Sequence, residues 1–177
     1  MTGEAVVPVF LCACALLVVA GAAKVRAPRS ARGSLELIGI PVPLAAVRVL
    51  GVAELALGVY AAIRPGPLAG GLVAGAYGVF LLVTVRLLAV DASADCGCFG
   101  AASTAVSRAH AVACAAAGAV AALAAVVSPP GVQWVATRTP LVAVTLTLGT
   151  ATAAFAAYAV FTLFAPAWSA YGSGRAE

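Results

Sequence analysis

Five apolar runs, each close to the length of one bilayer crossing, fix what this chain can become. They lie at Val6 to Ala23, Leu44 to Ile63, Leu68 to Val90, His110 to Val127 and Leu141 to Ala165. A helix needs roughly 20 apolar residues to span a hydrocarbon core. The last run is long for one crossing and too short for two. Lipid offers no hydrogen bonds, so the backbone must satisfy its own, and the runs are helices rather than strands. The expected fold is therefore all-α, a polytopic membrane helix bundle with a four-helix core plus a fifth transmembrane helix. Only 9% of residues are charged and 64% are hydrophobic, against about 25% charged in a soluble domain. With 177 residues there is no room for a separate soluble module, so residues 1–177 read as a single integral membrane domain. The lipid bilayer is the first partner this implies, and the cell membrane the expected location.

The punctuation between runs agrees. Lys24, Arg26, Arg29 and Arg32 close the first run, and "SPPG" at 128–131 stops the fourth, because proline cannot continue a helix. Trp134, Trp168 and Tyr171 flank the fifth, where amphipathic rings favour the interface. "RSARGSLELIGIPVP" reads as a short interfacial helix broken by Pro41 and Pro43. Gly71, Gly75 and Gly78 place small residues on one side of the third run, a pattern that permits close helix contact and that composition alone could also produce. The net charge of +4 comes from basic residues at run ends, which excludes a nucleic-acid footprint. The first run resembles a secretory signal, but Glu4 is the only charge ahead of it. The basic n-region is missing, so it is expected to stay as a span.

A few residues resist a purely structural reading. Glu54 sits roughly 15 Å from either end of its run. A carboxylate at that depth must face the bundle interior and is by default a functional-site hypothesis. Its simplest role is a polar contact with Arg48, Arg86 or Lys24. Cys12 and Cys14 point about 200° apart on a helix and read as packing residues. Cys96 and Cys98 differ, since "DASADCGCFG" (residues 91–100) is a polar loop between two apolar runs. Extended backbone would hold their Cα atoms roughly 6.6–7 Å apart, at the edge of disulfide geometry. Gly97 permits the turn that a bond would need, and a disulfide that tight exchanges readily. The pair reads as a redox dithiol, with metal binding and inert thiols as the alternatives. Ser103 or Thr104 is the expected N-cap of the fourth helix, whose dipole would favour a thiolate on Cys98. Asp95 disfavours one on Cys96. His110 and Cys114, four apart, share a helix face and are weaker candidates for a relay. A membrane metal carrier would use Cys96, Cys98, His110 and Cys114 as soft ligands; a structural subunit would use none of them.

"DCGCFG" between two runs, "AGAAKVRAP" closing the first and "GVAELALGVY" in the second together resemble the MauE family, methylamine-utilisation membrane proteins within a wider DoxX-like group. The resemblance covers about residues 6–127. It implies a multi-pass protein working beside a thioredoxin-like partner, in maturation of an exported, disulfide-rich amine dehydrogenase subunit. The motif residues it carries over are Cys96, Cys98, Phe99 and Gly100, with Lys24 and Glu54 more loosely. The layout is also similar to membrane disulfide generators of the vitamin K epoxide reductase type. Those carry Cys-x-x-Cys rather than Cys-x-Cys, so a quinone cofactor follows only by distant analogy.

Sidedness is contested. Four cations after the first run put that loop in the cytoplasm by the positive-inside rule, and two further crossings return "DCGCFG" to the same side. Stable disulfides instead belong outside. The charges favour the cytoplasm.

Overall fold

The structure is a computed structural model that describes residues 3–90, 97, 105–160 and 162. The helices in chain order are α1 (Val7–Arg26), α2 (Pro28–Leu37), α3 (Leu44–Ile63), α4 (Pro67–Val90), α5 (Arg108–Val127), α6 (Val132–Ala136) and α7 (Pro140–Ala159), after a 3-10 turn at Gly3–Val6. Among the described residues there is no strand element. Five of these helices are long and apolar enough to cross a membrane, which makes the protein an all-α polytopic bundle. Leu44 to Ile63 is the span expected from the sequence, and the others differ by a few residues at their ends. The largest difference is at the fifth, which begins at Pro140 and is helical to Ala159; residues beyond 162 lie outside the described set.

α1 is the hub. Phe10, Ala13, Cys14, Leu17, Ala20, Gly21 and Lys24 are buried along it, at the three-to-four spacing of one helical face. α3 packs along that face, α4 pairs with α5, and α7 lies against α1 from outside. α4 presents Val73, Tyr77, Thr84 and Leu87 inward. The core is built from Phe10, Leu17, Val73, Tyr77 and the alanines around them.

The close crossings are made by glycines that sequence pattern does not single out. A Cβ on Gly21 would lie 2.5 Å from the Gly51 carbonyl oxygen, and one on Gly51 would lie 2.7 Å from the Gly21 oxygen. α1 and α3 thus touch backbone to backbone. Gly70 plays the same part for α4 against Ala125 of α5. Gly71, Gly75 and Gly78, whose spacing permits a close contact but which composition alone could also produce, face open space, and a Cβ on any of them would meet nothing within 4 Å. In a chain this rich in small residues, the pattern does not mark which face meets a neighbour.

α2 is a separate short helix. Ala27 breaks from α1 with φ −129° and ψ 64°, and Pro28 opens the new helix, a position where its missing N–H costs nothing. Its end is closed by Gly39 at φ +82°, with the Ile40 amide donating to the Leu35 carbonyl at 2.9 Å. This is the left-handed glycine stop common at helix C-termini, and it precedes Pro41 and Pro43. The inward residues are Pro28, Ala31 and Ser34, while Arg29 and Glu36 are exposed.

The two ends of the bundle are distinct. One holds Glu4, the Ser128–Gly131 turn and Arg138, whose guanidinium bonds Glu4 at 2.7 Å and stacks 4.1 Å from the Trp134 ring. The other holds α2, the start of α3 and Gly97.

The glycine crossing gives a direct test. Gly51→Leu must push α1 from α3 and should destabilise the detergent-solubilised protein by about 1–3 kcal/mol, read as a lower thermal midpoint. Gly75→Ala, in open space, should instead leave stability equal or higher by about 0.5–1 kcal/mol.

Candidate functional site

The most polar feature inside the bundle lies at that glycine crossing. Lys24, in the last turn of α1, bonds Glu54 of α3 with Nζ 2.7 Å from Oε2. Both side chains are about nineteen-twentieths buried, at 6% and 5% exposure. Of the three cations the sequence offers to Glu54, Lys24 is the one that reaches it; Arg48 and Arg86 are exposed. The ammonium also lies 4.5 Å from the centre of the Phe80 ring, a cation–π contact worth about 2 kcal/mol when desolvated. Phe80 meets Tyr77 edge-to-face at 5.7 Å, and the Tyr77 hydroxyl donates to the Ala13 carbonyl at 2.7 Å. One chain of contacts therefore ties α3, α1 and α4 together. Among the described residues, Glu54 Oε1 and Thr84 Oγ1 are buried without a hydrogen-bond partner, so the carboxylate keeps one oxygen open as an acceptor.

Cys96 and Cys98, with Asp95, Phe99 and Gly100, lie outside the described residues. Gly97, between the two cysteines, is described and buried. Its φ is +69°, in the region that favours glycine. It is pressed onto the inward face of α2. A Cβ on Gly97 would lie 2.5 Å from Ser34 Oγ and 2.9 Å from the Ala31 Cα. Ser34 Oγ itself donates to the Ser30 carbonyl at 3.1 Å. Nearby, Leu87 of α4 and Val106 before α5 form a small buried cluster joined by Ile38, Val83 and Leu88, so the end of α2, the end of α4 and the approach to α5 share one apolar patch.

The fourth helix starts at Arg108, two residues ahead of the apolar run's His110 but after the two expected cap residues. Ser107, not Ser103 or Thr104, is the residue before α5, and its side chain makes no cap bond to the backbone. Ser107 Oγ meets His110 Nδ1 at 2.9 Å instead. His110 is buried and Cys114 is half-buried one turn on. Because α5 starts at Arg108, chain position does not bring Cys98 into the first turn, where a helix dipole acts. The Asp95 argument is what remains for Cys98. Cys14 is buried in the core and Cys12 half-buried. Among the described residues, no three His, Cys, Asp or Glu side chains converge as a metal site would require.

Removing one partner of a buried pair leaves an uncompensated charge. Lys24→Met and Glu54→Leu should each cost about 3–5 kcal/mol, measured as a lower melting midpoint or loss of the folded fraction on gel filtration. The double variant Lys24→Met/Glu54→Leu should recover much of that loss. A dispensable pair would show no such non-additivity.

A family model described as "Methylamine utilisation protein MauE" matches residues 4–129, from the 3-10 turn to the end of the fourth span. No curated protein matches the chain, and no solved structure does. α6 and α7 follow the matched region. The match includes Lys24, Glu54, Gly97 and both loop cysteines and spans well over half of the chain, and the protein belongs to the MauE family.

Proposed function

We propose that this protein is a thiol–disulfide redox protein of the cell membrane, with Cys96 and Cys98 as its dithiol and a thioredoxin-like protein as its partner. In a methylamine-utilisation setting, the exchange would serve maturation of a disulfide-containing protein, in the family an amine dehydrogenase subunit. The observation that carries the reading is Gly97. It is buried, has a φ of +69° that favours glycine, and is seated on α2, which supports a residue packed against the bundle at this point rather than a solvated linker. The step itself balances simply. A thiolate of the dithiol attacks a partner disulfide, forming a mixed disulfide and expelling one partner thiolate. The second cysteine attacks the mixed disulfide, so the protein gains a Cys96–Cys98 bond and the partner leaves with two thiols. Two electrons pass to the partner, and the reaction runs in either direction.

Asp95 beside Cys96 makes Cys98 the favoured attacking sulfur. Cys96→Ser should therefore accumulate a covalent adduct with a thioredoxin-like partner on a non-reducing gel, and Cys98→Ser should not. An adduct in Cys98→Ser alone would reverse the roles, and none in either would remove the redox reading.

The same reading assigns a side. Lys24, Arg26, Arg29, Arg32, Arg48, Arg86 and Arg108 lie at the end that carries α2 and Gly97, whereas Arg64 and Arg138 lie at the other. By the positive-inside rule this supports a cytoplasmic dithiol. In intact cells, a membrane-impermeant maleimide should leave Cys96 and Cys98 unlabelled until the membrane is permeabilised. Labelling before permeabilisation would place the loop outside.

A further inference from the structure

At the end of the bundle away from α2, the helices α1, α6 and α7 leave a groove of about 240 Å³ between them. Its walls are almost wholly apolar, with Val7, Leu11 and Ala15 of α1, Val135 of α6, and Leu146 and Ala151 of α7 among them. Val7 opens α1, so the groove starts at that end and reaches, by Ala15, roughly 12 Å into the span. α7 buries only Ala159, which leaves the outer wall of the groove standing in lipid. A charged pair marks the same end. Glu4 lies three residues before Val7, and Arg138 three residues after Val135. Arg138 bonds Glu4 Oε1 through Nη2 at 2.7 Å, and the Trp134 indole N–H donates to the same oxygen at 3.2 Å. Glu4 Oε2 has no partner among the described residues. Glu4 and Arg138 remain 50% and 37% exposed.

We propose that this groove is a phospholipid site. One acyl chain lies between α1 and α7, and a headgroup carrying both a phosphate and a primary ammonium sits on Arg138 and Glu4. The walls choose the chain. They offer almost no hydrogen bonds, so water gains nothing there, and an unfilled groove forfeits dispersion contacts along both helices. In a bilayer, a hydrocarbon tail is the occupant that meets those walls. The charges choose the head. A cation and an anion stand side by side, each with hydrogen-bonding capacity unspent, and together they complement a zwitterionic ethanolamine head. The phosphate goes to the guanidinium, a strong charge-assisted contact, and the ammonium to Glu4 Oε2. A glycerol head brings no cation for Glu4, and a choline head has no N–H to donate to it. Trp134 sits at the headgroup level, where such rings favour the interface. The site is at the opposite end from α2 and stands independently of the redox reading.

The test is quenching of Trp134 fluorescence by lipids with brominated acyl chains, in the full chain reconstituted in phosphatidylcholine vesicles. Trp168→Phe leaves Trp134 as the one emitter. Brominated phosphatidylethanolamine should associate about three- to fivefold more strongly than brominated phosphatidylcholine or phosphatidylglycerol, the scale of one exposed charge contact. Glu4→Gln should bring the ethanolamine-to-choline ratio close to one. Ala151→Phe fills the groove and should weaken association of the ethanolamine lipid by a similar factor. Val144→Phe, at an exposed position of α7 outside the groove, should match the parent. Should Ala151→Phe fail to fold, Thr147→Leu in the same wall supplies a smaller filling with the same expected direction. Equal association of the three lipids would overturn the headgroup assignment, as would a preference for phosphatidylglycerol. A preference that survives both groove-filling variants would remove the chain from the groove. Absence of quenching by every lipid, with the chain dimeric on gel filtration, would give the groove to a second copy and overturn the proposal.

Discussion

The Lys24–Glu54 pair is the contact around which the bundle is arranged. Two opposite charges within 2.7 Å and nearly excluded from solvent are tolerable only where each is the other's compensation. That condition sets the geometry of everything adjacent. Neither charge can be offered to lipid, so α1 and α3 must meet at this level. They can meet closely enough only because Gly21 and Gly51 carry no side chain between them. The remaining exposed side of the ammonium is closed by the face of Phe80, whose negative quadrupole suits a cation better than an aliphatic wall would. α4 is thereby recruited to the same point, and the Tyr77 hydroxyl bond to Ala13 holds it there. Hydrophobic burial cannot specify this packing, since lipid tails are as apolar as the helices themselves. Directional polar contacts and close backbone approach supply the specificity.

What can be read from the chain divides along the same physical line. Span number and helical type are legible because backbone desolvation leaves a bilayer few solutions, and the Leu44 to Ile63 run meets its helix residue for residue. Glu54 stands out by depth alone. Lys24 is harder to read as a core residue, since it looks like the first of four loop cations. In fact α1 continues through it to Arg26, and its long stem carries the charge inward rather than outward. The glycines mislead for a related reason. A small residue reports that close approach is possible, not which neighbour comes close, and Gly71, Gly75 and Gly78 face open space while Gly70 beside them touches α5. Ser107 does not announce itself as the partner of His110, because a serine three residues before a histidine looks like any helix start; its hydroxyl goes to the imidazole, not to the backbone.

The ion pair and the loop glycine are connected through the position of α2. The α1–α3 crossing falls at Gly21 to Lys24 on one helix and Gly51 to Leu55 on the other. That is close to the end of α1 at Arg26 but well inside α3, which starts at Leu44. α3 therefore runs on past α1 at this end of the bundle, and an unoccupied shoulder would remain beside its first turns. α2 lies there, in contact with α3, α1 and α4. Its small inward residues let it sit low, and the space they leave admits Gly97. The charged contact thus holds the last turn of α1 against α3, Pro28 breaks the chain from α1 at Ala27, and α2 lies beside the first turns of α3 with Gly97 against its inward face.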